Sequence, residues 1–207
     1  MRLSVKSIIR KRLRRTRPDV HKGDFGRVFI IAGSRGLTGA SRLVSAAALK
    51  SGAGLVTVGA PKSLAKILTR DSREAMWIPL PETVSGAVSL KSLDRASSFL
   101  KHEDVLAIGP GLSRHPSTLS FVRALTKQSR KPMVIDADAI IAFQGRSRLL
   151  KRLKAPSILT PHPGEFHRVF GMSPVTETDR IKVAVSAAKE FGMVIVLKGH
   201  RTVVANT

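Results

Sequence analysis

Several short polar clusters in this sequence stand where apolar runs end, and each holds residue types suited to binding an anion or moving a proton. Gly33-Ser-Arg-Gly36-Leu-Thr-Gly39-Ala40 follows the run Val28–Ala32 and opens a small-residue helical pattern. Glycines admit positive φ and let a ligand approach the backbone, and a helix N-terminus offers unpaired N–H groups to negative charge. The G-x-x-G-x-x-G spacing is neither the dinucleotide fingerprint nor a P-loop, and a tight turn with close helix packing explains it equally well. Gly109-Pro110-Gly111, after Val105–Ile108, is a second turn of this kind. Asp136-Ala-Asp138 follows Met133–Ile135. Its two carboxylates could hold the water shell of a magnesium ion, poise a base, or cap the next helix, and capping is the favoured reading for at least one of them.

Thr160-Pro-His162-Pro-Gly-Glu165 is the most unusual of these clusters. Two prolines stiffen the chain around His162, which suits a histidine held for a ligand, while Glu165 favours the first turn of a helix and reads as structural. Lys198-Gly199-His200-Arg201-Thr202 puts a lysine at a strand end beside glycine and threonine, a set suited to a nucleotide phosphate and equally to a plain hairpin. His167 reads as a surface residue and Trp77 as core. No nucleophile-elbow serine and no H-E-x-x-H metal spacing occurs.

The elements that must position these clusters alternate. Strands are expected at Val28–Ala32, Leu55–Val58, Ala75–Ile78, Val105–Ile108, Met133–Ile135, Ile158–Thr160, Met193–Leu197 and Thr202–Ala205. Helical patterns cover Thr38–Lys50, Ser63–Arg70, Ser89–Lys101, Pro116–Ser129, a stretch around Ala137–Leu153, and Glu177–Phe191, where Ile181, Val185 and Ala188 recur at helical spacing. A loop is expected from Pro79 to Gly86. Apolar runs such as VFIIA, VLAIG and MVIVL, each followed by a helix, predict a doubly wound, mostly parallel α/β sheet covered on both faces. In such a sheet ligands lie beyond the carboxyl ends of the strands, where these clusters are. The last strand has no covering helix after it, which predicts a domain whose C-terminal part is missing.

Composition narrows the class. The 207 residues are 43% hydrophobic, enough for a packed core, and contain no cysteine, which excludes disulfide frameworks, thiolate metal sites and cysteine nucleophiles. A reducing, cytoplasmic setting is compatible with that, and no run is long enough to span a membrane. The formal net charge is +22, and eight of the basic residues lie in the acid-free first seventeen positions. Residues 1–17 therefore read as a basic arm or linker, and 18–207 as the folded domain. A field of this sign attracts nucleic acid, anionic lipid or phosphorylated small molecules. Aromatics at 4% are too few for base-stacking platforms, which disfavours nucleic acid.

Taken in order, His21-Lys-Gly-Asp-Phe-Gly26, GSRGLTGA, SGAGLVTV, AIGPGL, VIDADA, LTPHPGE and VLKGHRTVV resemble the ADP/ATP-dependent NAD(P)H-hydrate dehydratases of the ribokinase-like superfamily, from about His21 to the last residue. The resemblance implies repair of hydrated NADH or NADPH, with ADP or ATP and Mg2+. It implies that Ala40, Gly111 and His162 contact the hydrate and that Lys198, Gly199, His200, Arg201 and Thr202 bind the adenine nucleotide. Asp136 and Asp138 match a family motif and receive a magnesium or positioning role. It further implies an epimerase domain or partner and a homo-tetramer, and the lack of a long apolar run adds an expectation of no membrane partner. Family members continue into a Gly-Gly-x-Gly-Asp segment carrying the catalytic aspartate. The resemblance puts that aspartate beyond Thr207, the last of these residues, so no catalytic residue is assigned within the chain, which by itself is expected to be inactive. Two rival readings stand beside this one: a vitamin-precursor or sugar kinase of the same fold, and a basic module binding nucleic acid or a partner protein.

Overall fold

The computed structural model describes Ser7 and residues 19–71, 74–173 and 176–207. The basic arm expected at residues 1–17 therefore lies outside the described residues, apart from Ser7. Eight strands form one sheet in the order β3-β2-β1-β4-β5-β6-β7-β8. They are β1 (Arg27–Ile31), β2 (Leu55–Pro61), β3 (Met76–Leu80), β4 (Val105–Ile108), β5 (Met133–Ile135), β6 (Ser157–Leu159), β7 (Val194–Leu197) and β8 (Val203–Ala205). Neighbouring strands are parallel from β3 to β7, and β8 returns antiparallel along β7. The helices are α1 (Thr38–Lys50), α2 (Lys62–Asp71), α3 (Leu93–Leu100), α4 (Pro116–Gln128), α5 (Asp138–Ile141), α6 (Pro163–Phe170) and α7 (Glu177–Phe191). Among the described residues no helix is long and apolar enough to cross a membrane.

Chain order determines which face each helix covers. β1, β2 and β3 step one way across the sheet, whereas β4 to β7 step the other way, and right-handed crossovers then send the two sets of helices to opposite faces. The main core follows from this. Phe29, Ile31, Leu106, Ile108, Met133, Ile135, Leu159, Ile195 and Leu197 point to one side and pack with α3 to α7. On the other side Ile30, Val56 and Val58 pack with Val44, Ala48 and Leu49 of α1, and Ala60 packs with Leu64 and Leu68 of α2.

Two strands are buried on both faces: β1, with Phe29, Ile30 and Ile31 all at 0% exposure, and β2 from Val56 to its end. β4 and β7 alternate buried with half-buried residues, although their sequences read as continuously buried runs. Ala107, Val134, Ile158 and Val194 stand in register across four strands, and Val196 faces Val204 on β8. This strip lies on the side of α1 and α2, which sit over β1–β3, and no other described helix covers it. Ile158 is 37% and Val204 67% exposed.

The structure departs from the sequence expectation at further places. Pro79 is inside β3, tolerated because β3 is an edge strand and needs no N–H there. The stretch 137–153 is not one helix: α5 ends after a single turn, and Ser147–Arg152 forms a 3₁₀ segment beyond Gly145 at φ 67°. In α7 the buried stripe is Ala184, Ala187, Ala188 and Phe191, leaving Ile181 half-exposed. Trp77 packs against both smaller core clusters but is only half-buried, its Nε1 unpartnered among the described residues.

Candidate active site at the carboxyl edge of the sheet

The parallel strands β1, β4, β5, β6 and β7 all end at one edge, and the loops that follow are joined from neighbour to neighbour. Gly33 donates its N–H to the Pro110 carbonyl at 2.9 Å, and Gly109 donates to Ile31 at 3.1 Å. Asp136 donates to Ile108, Thr160 to Ile135, and Lys198 to Pro161. Ser34 Oγ donates to the Gly111 carbonyl at 2.8 Å. The result is one continuous rim.

Gly111 lies directly against the start of α1. Its φ is 66°, and a Cβ there would come within 2.8 Å of the Ala40 Cβ. Gly109, at φ 133°, has its backbone against the Asp136 carbonyl, where a Cβ would collide. Both positions thus require glycine for conformation and for space. Ala40 and Gly111, expected to share a substrate, are neighbours.

Asp136 and Asp138 do different things, and neither caps α5. Asp138 Oδ2 accepts the Ser113 N–H at 3.0 Å, and its Oδ1 pairs with Arg114 Nε at 3.2 Å, fastening the loop after β4 to the end of β5. Asp136 Oδ1 accepts from Thr160 Oγ1 at 2.6 Å and from Lys198 Nζ at 2.8 Å. The N-cap of α5 is Ala137, whose side chain makes no cap. The capping expectation is therefore corrected: both carboxylates reach across to neighbouring loops, which offer fuller partners than a one-turn helix. Ala137 between them has φ 50° and Ser113 has φ 79°. Such non-glycine conformations cost about 1–3 kcal/mol each and persist where surrounding contacts enforce them.

His162 is the N-cap of α6. Its Nδ1 accepts from the Gly164 and Glu165 N–H groups at 3.0 and 3.3 Å, and its own N–H donates to Glu165 Oε2 at 2.9 Å. With Nδ1 accepting, the neutral ring carries its proton on Nε2, which lies 3.4 Å from Glu165 Oε1. Glu165 is buried in this reciprocal cap, as its structural reading anticipated. The ring is half-exposed at the rim. His167 is exposed and within 2.8 Å of Ser173 Oγ.

Lys198 to Thr202 make the β7–β8 turn. Arg180 of α7 donates to the Leu197 and Lys198 carbonyls at 3.2 Å, and its guanidinium lies where a Gly199 side chain would be. Thr202 Oγ1 donates to the Gly199 carbonyl at 3.3 Å, and His200 and Arg201 are exposed. Thr207 is exposed just after β8, and the catalytic aspartate expected beyond Thr207 is not among the described residues, so the rim is described without it. Sequence reasoning missed Arg180, for which a helical arginine gives no signal. It also passed over Thr160, whose place at a strand end inside the proline-rich cluster was a usable clue. Among the described residues no three His, Asp or Glu side chains gather as a metal cage.

A family described as NAD(P)H-hydrate dehydratase matches residues 28–207. The bifunctional NAD(P)H-hydrate repair enzyme of Moorella thermoacetica is 44% identical over 99% of this chain, and the match covers 39% of that relative. The chain therefore spans well under half the length of this curated relative. Among solved structures, a ribokinase-like superfamily protein of Enterococcus faecalis superposes with a TM-score of 0.79 at 27% identity, covering 99% of this chain and 68% of that one. The ADP/ATP-dependent NAD(P)H-hydrate dehydratase of Bacillus subtilis, co-crystallised with ATP/Mg2+, gives 0.76 at 28% identity, covering 98% and 68%. With its ribokinase-like sheet and the match across nearly the whole folded region, this chain belongs to the NAD(P)H-hydrate dehydratase family.

Proposed function

We propose that these residues form the hydrate side and part of the nucleotide side of an ADP/ATP-dependent NAD(P)H-hydrate dehydratase. The observation that carries the reading is the stitched rim: five strand ends bring Ala40, Gly111, His162 and Lys198 to one edge of one sheet. The hydrated nicotinamide ring bears a hydroxyl, a poor leaving group. Transfer of the terminal phosphoryl group of ADP or ATP to that oxygen makes a phosphate ester. Breaking the carbon–oxygen bond releases phosphate, and loss of a proton from the adjacent carbon restores the dihydropyridine. Phosphoryl transfer depends chiefly on positioning and charge stabilisation, which a basic cleft suits.

Ala40 and Gly111 would admit the hydrated nicotinamide ring close to backbone, and His162 would contact it from the rim. Lys198 and the Gly199–Thr202 turn would meet the donor nucleotide. The described residues do not fit a protein-made magnesium cage, since Asp136 is occupied by Thr160 and Lys198 and Asp138 by the loop after β4. Mg2+ would arrive on the nucleotide phosphates. The catalytic aspartate would come from a segment following Thr207. The same reading takes in a cytoplasmic location, a homo-tetramer and an epimerase partner. Residues 1–17 would be a solvated basic arm beside the folded domain.

The test is equilibrium binding of hydrated NADH to the 207-residue chain, compared with Gly111→Val. The expected result is saturable binding weakened at least about tenfold by the valine, which would intrude on Ala40. No binding, or binding indifferent to Gly111→Val, overturns the proposal. In a turnover assay with ADP or ATP and Mg2+, recovery of the reduced-nicotinamide absorbance is expected only when the Gly-Gly-x-Gly-Asp segment is joined to the chain after Thr207. A stable phosphorylated product instead would favour the kinase reading.

A further inference from the structure

Asp136 is an acid in a place built for anions. Its side chain is 30% exposed at the end of β5, and the Lys198 ammonium beside it is 42% exposed at the end of β7. Nearby acid ordinarily weakens an anion site, because carboxylate repels phosphate and neutralises the lysine that should attract it. Yet the same oxygen, Oδ1, receives both Lys198 Nζ at 2.8 Å and Thr160 Oγ1 at 2.6 Å. Three consecutive strand ends, β5, β6 and β7, thus converge on one oxygen atom. The backbone beneath is also fixed: Lys198 donates its N–H to Pro161, and Arg180 holds the Lys198 carbonyl.

A lysine side chain has four rotatable bonds and loses substantial rotamer freedom when it is ordered. A free surface lysine must lose that freedom on binding phosphate. One already ordered by a carboxylate has lost it in the folded protein, and its ammonium, with three donors, retains two for a ligand. Thr160 adds a second anchor, because its hydroxyl donates to the same carboxylate oxygen that holds the lysine.

We propose that Asp136 is a positioning residue for the donor nucleotide: with Thr160 it pre-orders Lys198 so that the ammonium meets the phosphates in a fixed place. This rests on the reading of the Lys198–Thr202 turn as part of the nucleotide site. The proposal has an unusual sign. If Asp136 were only a nearby negative charge, replacing it with asparagine would tighten nucleotide binding. As a positioning residue, its replacement weakens binding.

The experiment is titration of the 207-residue chain with ADP and with ATP, carried out as a cycle of variants. Lys198→Met is expected to weaken binding about tenfold, the size of one charge-assisted hydrogen bond. Asp136→Asn is expected to weaken it about three- to tenfold, and Thr160→Val in the same direction by less. In the Lys198→Met background, Asp136→Asn should cost nothing further or restore a little affinity, since only the repulsion then remains. Tighter or unchanged binding by Asp136→Asn alone, with Lys198→Met still damaging, overturns the positioning role and leaves the nucleotide site standing. Equal weakening by Asp136→Asn in both backgrounds also overturns it, by showing an effect on the fold rather than on the lysine. No nucleotide binding by the unaltered chain, or binding indifferent to Lys198→Met, sinks the nucleotide reading itself and the inference with it.

Discussion

Ile158 and Leu159 are adjacent on the same short strand and similar in chemistry, yet they occupy opposite worlds. Leu159 is fully buried among Ile135, Ile195 and the helices of the main core, whereas Ile158 is 37% exposed on the opposite face, in the strip beside the area that α1 and α2 cover. The alternation of a strand converts this one-residue step into a change of solvent. Apolar character alone therefore does not report burial in this sheet. What decides it is which helices the crossovers send to each side.

Alanine substitutions at these two positions probe the difference most strongly. Leu159→Ala is expected to cost about 2–5 kcal/mol in denaturant unfolding, through lost transfer energy and the cavity left behind. Ile158→Ala should cost less than about 1 kcal/mol, as a partly exposed site without a tight surround. Equal costs would show that the strip is covered in solution and would erase the contrast.

A smaller effect tests how the covered side is anchored. Thr176 caps α7, accepting the Asp179 N–H at 3.1 Å, while Asp179 Oδ2 accepts the Thr176 hydroxyl at 2.7 Å. Thr176→Ala should cost about 1 kcal/mol of stability at neutral pH. The Thr176 hydroxyl, and then its N–H, hold the Asp179 carboxyl below its usual range. A depressed acid contributes stability above its unfolded pKa and loses it as pH falls through the folded value. The gap between parent and variant should narrow on acidification, and a gap independent of pH would break the link.

The smallest effect concerns an acid at the opposite end of the sheet. Glu103 is buried, its Oε2 has no hydrogen-bond partner among the described residues, and desolvation outweighs Arg27 in raising its pKa. A raised acid is best tolerated when protonated, so its penalty appears as pH rises through the ordinary carboxylate range toward the folded value. Glu103→Gln should stabilise slightly at neutral pH and lose that advantage below the ordinary carboxylate range. Thermal melts of the pair across pH would show it, and a neutral or destabilising glutamine would imply a partner for Oε2.

Much of this molecule is legible in the sequence, for identifiable reasons. Short apolar runs divided by glycine loops specify a parallel sheet, and the rule placing ligands at carboxyl ends then gathers Ala40, Gly111, His162 and Lys198 at one edge. Local signals reach less far: Glu165 reads as favouring a first helical turn, while its reciprocal cap with His162 is visible only in the fold. The unread part is long-range. That Asp136 reaches Lys198, 62 residues away, and Asp138 reaches Arg114, 24 residues away, depends on strand order, which no local pattern encodes. Burial of β4 and β7 was overestimated because continuous apolar runs look the same whether one side of the strand or both is packed.

The neighbour-to-neighbour bonding of the rim has a practical corollary for anyone borrowing parts between relatives. Gly33 and Lys198 donate to the neighbouring loop's carbonyl, and Gly109, Asp136 and Thr160 to the last residue of the neighbouring strand, so a segment grafted alone would leave its neighbour's donors or acceptors misplaced. Transplants should move linked pairs, such as Gly33–Ala40 together with Gly109–Ser113, because the unit of exchange here is the seam and not the loop.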